Sequence, residues 1–203
     1  AMEFEALCKQ RYTERYFAPN VDISDRQLQD LFQKVILGPS AFNLQHWQFI
    51  VVREQVAKKE LSEIAYYQPQ VKDCSAVVAV CGNLLAFRDA RSMHASDPES
   101  IRDKFIDMVE KIYENEAGLQ RDEAIRSASL AAMSLMYAAA DKNWASAPLI
   151  GFDADKLAAK LCLQKTVIPV MLVLLGKPKP GHANRRGHRK SLGEILHFET
   201  YKP

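Results

Sequence analysis

The sequence predicts an α+β fold: a small mixed β-sheet flanked by helices and assembled around one buried helix. Three observations carry this. Residues 122–142 contain the run A-I-R-S-A-S-L-A-A-M-S-L-M-Y-A-A-A, rich in helix formers and apolar on most faces, as an enclosed helix is. Residues 47–53, 75–81 and 168–176 are short runs of β-branched, aromatic and aliphatic side chains, the pattern of strands. Amphipathic helical stretches separate them. At 203 residues and 48% hydrophobic, the chain suits one domain, residues 1–203, with a full core.

The elements follow in chain order. Residues 3–10 are a short amphipathic helix, and Ala1 before Met2 reads as an added residue. Ser24 and Gln27 form an S-x-x-Q capping box for a helix whose apolar positions are Leu28, Leu31, Phe32, Val35 and Ile36. Gly38 is expected to end it in the left-handed conformation, with Pro39 preventing continuation. After the strand at 47–53 comes a helix at 55–65, then Y-Y-Q-P-Q-V-K-D at 66–73, too polar for an ordinary surface helix. Residues 88–118 are expected to be a mobile or variable helical excursion with an apolar stripe at Ile101, Phe105, Met108 and Ile112. Asn143 ends the long helix in a left-handed conformation, Asp153 caps a helix at 154–161, and the strand at 168–176 is apolar enough to be buried on both faces. Residues 177–203 form a basic irregular segment and a short apolar tail.

Charge excludes several classes of partner. The 27 basic and 25 acidic residues are spread along the chain, so the net +2 favours neither nucleic acid nor an anionic membrane. Apolar runs fall well short of the roughly 20 residues a membrane span needs, and no basic-then-apolar leader opens the chain, so a soluble cytoplasmic protein is expected. Cys8, Cys74, Cys81 and Cys162 show no C-x-x-C pair and read as buried thiols. His182 and His188 have no paired cysteine motif, so no metal site is expected. G-x-S-x-G, G-x-G-x-x-G and G-x-x-x-x-G-K are absent, and Glu110, Glu114 and Glu116 read as a solvated helix face.

Two polar constellations remain. Arg11, Thr13 and Arg15 lie within five residues, and Arg185, Arg186 and Arg189 form a second cationic patch far along the chain. Each is a solvated surface taken alone; converging, they suit a phosphate monoester, because guanidinium forks bind its oxygens bidentately. Pro39, Ser40, Asn43 and Gln45 shape a turn in the plain reading, whereas their amides, with Gln68 and Gln70, also offer the donors and acceptors that the edge of a flat heteroaromatic ring requires.

In chain order these pieces resemble the FMN-dependent nitroreductase family, and within it the small NAD(P)H nitroreductases. R-Y-T-E-R-Y-F resembles its R-R-S-x-R-x-F opening, G-P-S-A-F-N-L-Q-H-W-Q-F its A-P-S-x-x-N-x-Q-P-W-x-F signature, P-L-I-G-F-D its later glycine-containing segment, and R-x-x-L its last phosphate contact. The resemblance implies a nitroreductase-like fold and an obligate homodimer, with FMN at the subunit interface and NADH or NADPH as electron donor. The 122–142 helix and the apolar tail would contribute to that interface. It implies further that Arg11, Tyr12 and Thr13, with Arg186 and Arg189, hold the FMN phosphate, and that Arg15 faces the ring near N1. Pro39, Ser40, Ala41, Asn43 and Gln45 approach the ring, usually from the partner, Gln68 and Gln70 serve its pyrimidine edge, and Leu149, Ile150 and Gly151 lie near N5. Tyr12, His46 and Ile150 depart from the family pattern, which more often has a basic residue, proline and glutamate there. The implied activity is hydride transfer through flavin N5 to nitroaromatic, quinone or related small-molecule acceptors, with no protein acid or base. Alternatives are a dehalogenase or other specialised flavin reaction, and a flavin-binding redox sensor or interaction protein without significant turnover.

Overall fold

The computed structural model describes residues 2–202; Ala1 and Pro203, the ends of the expected 1–203 domain, lie outside them. Strands β1 (Trp47–Val52), β2 (Ala76–Asn83), β3 (Ala145–Leu149) and β4 (Val167–Gly176) form one sheet in the order β1-β2-β4-β3. Every neighbouring pair is antiparallel. The parallel component of the expected mixed sheet is reduced to an isolated bridge between Thr13 and Ser146. Strand direction is not written into a buried run, because an apolar segment reads the same in either orientation.

The sheet is covered on both faces, and residue alternation assigns the sides. Val78, Val80, Val173 and Leu175 pack toward α2 (Asp25–Val35) and α7 (Ala117–Asp141). Val77, Ala79, Cys81, Leu172 and Leu174 face the opposite core, with Leu61 of α3 (Gln55–Ile64) and Leu157 of α8 (Ala154–Lys160). Each such buried aliphatic side chain contributes about 1.5–3 kcal/mol of transfer free energy. The sequence expects β4 to be buried throughout; only its second half is, whereas Val167 to Met171 remain half-buried.

Helix α7 begins at Ala117, five residues before its expected start, and presents Ala124, Ala128, Ala131, Ala132 and Leu135 to the sheet. Small side chains bring the helix close: a Cβ on Gly82 of β2 would lie 2.8 Å from the Ala124 carbonyl oxygen. Asn143 then takes φ 58°, as expected, and reverses the chain into β3.

Ser24 caps α2 in the predicted box, accepting from Gln27 N while the Gln27 side chain accepts from Ser24 N at 2.9 Å. The end of α2 differs from expectation. Gly38 does not adopt a positive φ; the helix tightens through Leu37 N–H to Lys34 O and Gly38 N–H to Val35 O. A Cβ there would stand 3.3 Å from Val35 O, a tight contact with its own helix end, and at an ordinary 3.6 Å from Ser134 Oγ of α7.

The 88–118 excursion is helical, as expected. It contains α5 (Ala90–Met93) and α6 (Glu99–Tyr113), and Val109 and Tyr113 pack with Phe87, Leu44 and Phe42 in a third core cluster. Aromatic burial holds it, although Ile101 and Met108 of the predicted stripe face outward. Residues 66–73 resolve into two left-handed tyrosines and the short α4 (Pro69–Asp73). The tail carries α9 (Leu192–Ile195) and exposes Leu192, Ile195, Phe198 and Tyr201. Cys74 and Cys81 are buried as expected and burial pushes both thiols up to about 12, whereas Cys8 is half-buried and Cys162 exposed.

Candidate functional site

The site is organised by a carboxylate that sequence reasoning missed. After α1 (Phe4–Gln10), residues 11–17 run along the β3 edge, fixed by the Thr13–Ser146 bridge and by Glu14 N–H to Ser146 O at 2.9 Å. Glu14 is 1% exposed. It accepts from the Tyr12 hydroxyl at 2.8 Å, from the backbone N–H of Arg15 and Tyr16 at 2.9 and 2.8 Å, and from Asn184 Nδ2 at 2.6 Å. Burial and the Glu14 carboxylate push the Tyr12 phenol up to about 12, so Tyr12 remains a neutral donor.

With the strip pinned this way, the two distant cationic patches meet. Arg11, Tyr12, Thr13 and Arg15 line a cavity of about 240 Å³ together with Arg185, Arg186 and Arg189. Burial, then the charges of Arg186 and Arg189, lower the Arg11 pKa. No carboxylate ion-pairs with any of these five arginines among the described residues. Like charges held together without counter-charge are the donor set of an anion site, and a phosphate monoester fits it. The members are not equivalent. Arg186 Nη2 is committed to the carbonyls of Cys8, Lys9 and Arg11 at 3.3, 2.8 and 2.7 Å, and Arg189 Nη1 to those of Gly187 and His188.

Strand β3 carries the site onward. Ile150 lies four residue steps beyond Ser146, a rise of about 13 Å in extended chain. There the Gln68 side chain donates to the carbonyls of Gly151 and Ala65, each at 3.0 Å, and accepts from Gln70 Nε2 at 3.0 Å. Gln68 is therefore spent on holding Gly151, which leaves Gln70 the freer amide. Leu149 is half-buried and Ile150 is 77% exposed beside them. Tyr66 and Tyr67, both exposed, sit at φ 57° and 61° next to this pair, a strained conformation for side-chain-bearing residues.

None of residues 39–45 lines the arginine cavity within one chain. No hydrogen bond among the described residues joins this turn to the arginine cavity or to the Gln68–Gly151 pair. Phe42, Asn43 and Gln45 adopt φ of 51°, 54° and 51°. Ser40 Oγ accepts from Gln45 N–H at 2.9 Å, so the hydroxyl staples the turn, while Gln45 Nε2 reaches Asn43 O and Met93 Sδ. Ala41 is half-buried, and Pro39 and Asn43 are exposed. His46 follows, 2% exposed, its Nδ1 without a hydrogen-bond partner and burial holding its pKa down at about 4. Sequence reasoning also missed His94, whose ring bonds the Phe42 carbonyl; nothing in its local sequence signalled that contact.

Among the described residues no helix is long and apolar enough to cross a membrane, and no cluster of three His, Cys, Asp or Glu is placed to hold a metal. Residues 8–177 match the pattern of the Nitroreductase family. The chain is 33% identical over 207 aligned positions to "Putative NAD(P)H nitroreductase MhqN" of Bacillus subtilis (strain 168), covering 97% of this chain and 98% of that protein. A crystal structure of a "putative nitroreductase ydfN" from Bacillus subtilis superposes with a TM-score of 0.93 at 33% identity, covering 96% of this chain and 98% of that one. Another, a "putative nitroreductase in complex with FMN" from Exiguobacterium sibiricum 255-15, gives 0.90 at 27% identity and 98% coverage of each. The α+β architecture, the opening arginine strip and the helix-to-strand signature thus meet in one conclusion: the chain belongs to the nitroreductase family.

Proposed function

We propose that the chain is an FMN-dependent oxidoreductase that takes electrons from NADH or NADPH and passes them to nitroaromatic, quinone or related small acceptors, and that it works as a homodimer. The observation that carries this reading is the un-neutralised arginine cavity at one end of β3, with the exposed Ile150–Gly151 segment and its amide pair at the other. That spacing suits a ligand with a phosphate at one end and a flat ring at the other, and a relative of the same fold is described in complex with FMN.

Bound FMN would supply the hydride chemistry at N5. The chain's residues bind and orient. Arg11, Arg186 and Arg189, with Tyr12 and Thr13, would hold the phosphate; Gln70 and the Gly151 backbone would meet the ring edge. Arg15, exposed at the cavity lip, would stabilise the negative charge that reduction places near N1. No protein acid or base is required.

The dimer reading rests on the turn and on apolar exposure. Pro39, Ser40, Ala41, Asn43 and Gln45 do not line the arginine cavity within one chain, which supports their approach to the ring from a second copy. Leu192, Ile195, Phe198 and Tyr201 of the tail, with Leu37 and Leu130, offer the apolar surface of a large obligate interface.

The test is the absorption spectrum of purified protein, before and after NADPH is added anaerobically. A flavin spectrum that bleaches, and recovers with a quinone, supports the proposal; a colourless protein that acquires no flavin spectrum with added FMN overturns it. Bound flavin with negligible turnover would replace the enzyme by a redox sensor.

A further inference from the structure

We propose that His94 is a proton-operated latch on the turn that carries Ser40, Asn43 and Gln45, positioning that turn for ligand only while its imidazole is doubly protonated; the link to ligand rests on the flavin reading above. The argument begins with acceptors. His94 Nε2 lies 3.0 Å from the Phe42 carbonyl oxygen and Nδ1 lies 2.9 Å from Asp97 Oδ2. A carbonyl and a carboxylate both accept, so both ring nitrogens must carry a proton for the two bonds to coexist, and only the imidazolium does. Neutral His94 keeps its proton toward the charged carboxylate, the stronger partner, and turns a lone pair on the Phe42 carbonyl.

The residue gripped is itself strained. Phe42 sits at φ 51° inside a short turn that has Asn43 and Gln45 in the same region, a conformation that must be held by its surroundings. Met93, the last residue of α5 and the neighbour of His94, accepts at Sδ from Gln45 Nε2 at 3.0 Å, so consecutive residues hold the turn at two points. The other groups on the ring are few: Phe105 of α6 packs against it at 4.2 Å between centroids, and Arg102 of α6 donates to Ala95 O at 3.3 Å. Asp97 is thus the charged group in contact with it, while the Arg102 guanidinium is engaged by the Ala95 carbonyl. The bonds to Phe42 O and Asp97 raise the His94 pKa above its ordinary value, placing the change of state toward neutral pH.

The sign follows. His94 engages the turn below its folded-state pKa and releases it as pH rises through that value. Nearby His46, held at about 4, stays neutral over the range.

The experiment measures the FMN dissociation constant of wild type, His94→Ala and His94→Gln from about pH 5.5 to 8.5, alongside the imidazole titration of His94 by NMR without flavin. The glutamine amide is a donor at every pH. Wild type should lose affinity relative to His94→Gln by roughly fivefold across its own imidazole titration, and His94→Ala should be weak throughout. Ionisation of the FMN phosphate near pH ~6 is common to all three and cancels in the comparison. Parallel pH profiles for wild type and His94→Ala, with flavin bound, overturn the latch. If none binds FMN, the flavin reading falls, and the latch is judged on exchange of the Gln45 amide: identical exchange in wild type and His94→Ala at both ends of the range overturns it. Should His94→Ala not fold, Asp97→Asn takes its place, expected to shift the transition to lower pH; an unmoved transition counts against the latch.

Discussion

The side chain of Asn184 donates to the buried carboxylate of Glu14 at 2.6 Å across a sequence separation of 170 residues. One bond thereby ties the basic tail to the arginine strip. Glu14→Ala should lower unfolding free energy by about 2–4 kcal/mol, because it strands several buried donors at once. Glu14→Gln keeps an oxygen for Arg15, Tyr16 and Asn184 and should lose much less. Urea titration distinguishes the two, and the alanine variant should also bind FMN at least tenfold more weakly if the tail loses its register.

Arg15 offers a redox readout. Its removal by Arg15→Ala should lower the potential of bound flavin by about 30 mV, equivalent to about 1.4 kcal/mol on a two-electron couple. The effect should shrink at high salt, since the guanidinium is exposed. An unchanged potential would remove the electrostatic role assigned to it.

Gly82→Ala should destabilise the fold by about 1–3 kcal/mol, without a direct effect on ligand contacts. Its Cβ would meet Ala124 backbone and side chain at 2.8 and 2.9 Å, and a helix of small residues against a sheet has no room to yield. A thermal melt checks this, with flavin affinity unchanged in the folded fraction.

His46 gives a pH signature of stability. Burial depresses its folded-state pKa to about 4 from an ordinary 6.5, so the fold prefers the neutral ring. That preference is fully present above about pH 6.5 and is lost as pH falls toward 4, amounting to at most about 3 kcal/mol. His46→Leu should flatten this part of the stability profile. Urea midpoints compared across the window in both proteins test it, and equal slopes would refute it.

Much of the fold was legible. The Ser24 box, the Asn143 reversal, the apolar 122–142 run and the strand runs all depend on interactions within a few residues, which local sequence encodes. The conformation of Gly38 was misread because a glycine after a helix is equally consistent with a left-handed cap and with a tightened last turn at negative φ. The packing of 88–118 was not legible because Phe105 and Tyr113 meet Phe42, and their cluster includes Leu44, far earlier in the chain.

By itself the sequence determined the class of the fold, the family, and the convergence of two arginine clusters as a requirement of phosphate chemistry. Tertiary structure alone decided which of these side chains are committed to the chain's own scaffold. Arg186 and Gln68 turn out to hold backbone carbonyls, Ser40 staples its own turn, and Glu14, overlooked among arginines, anchors the site. The reason is physical: local pattern records propensity and polarity, whereas the partner of a buried donor or charge is set by whichever distant segment the fold brings within about 3 Å.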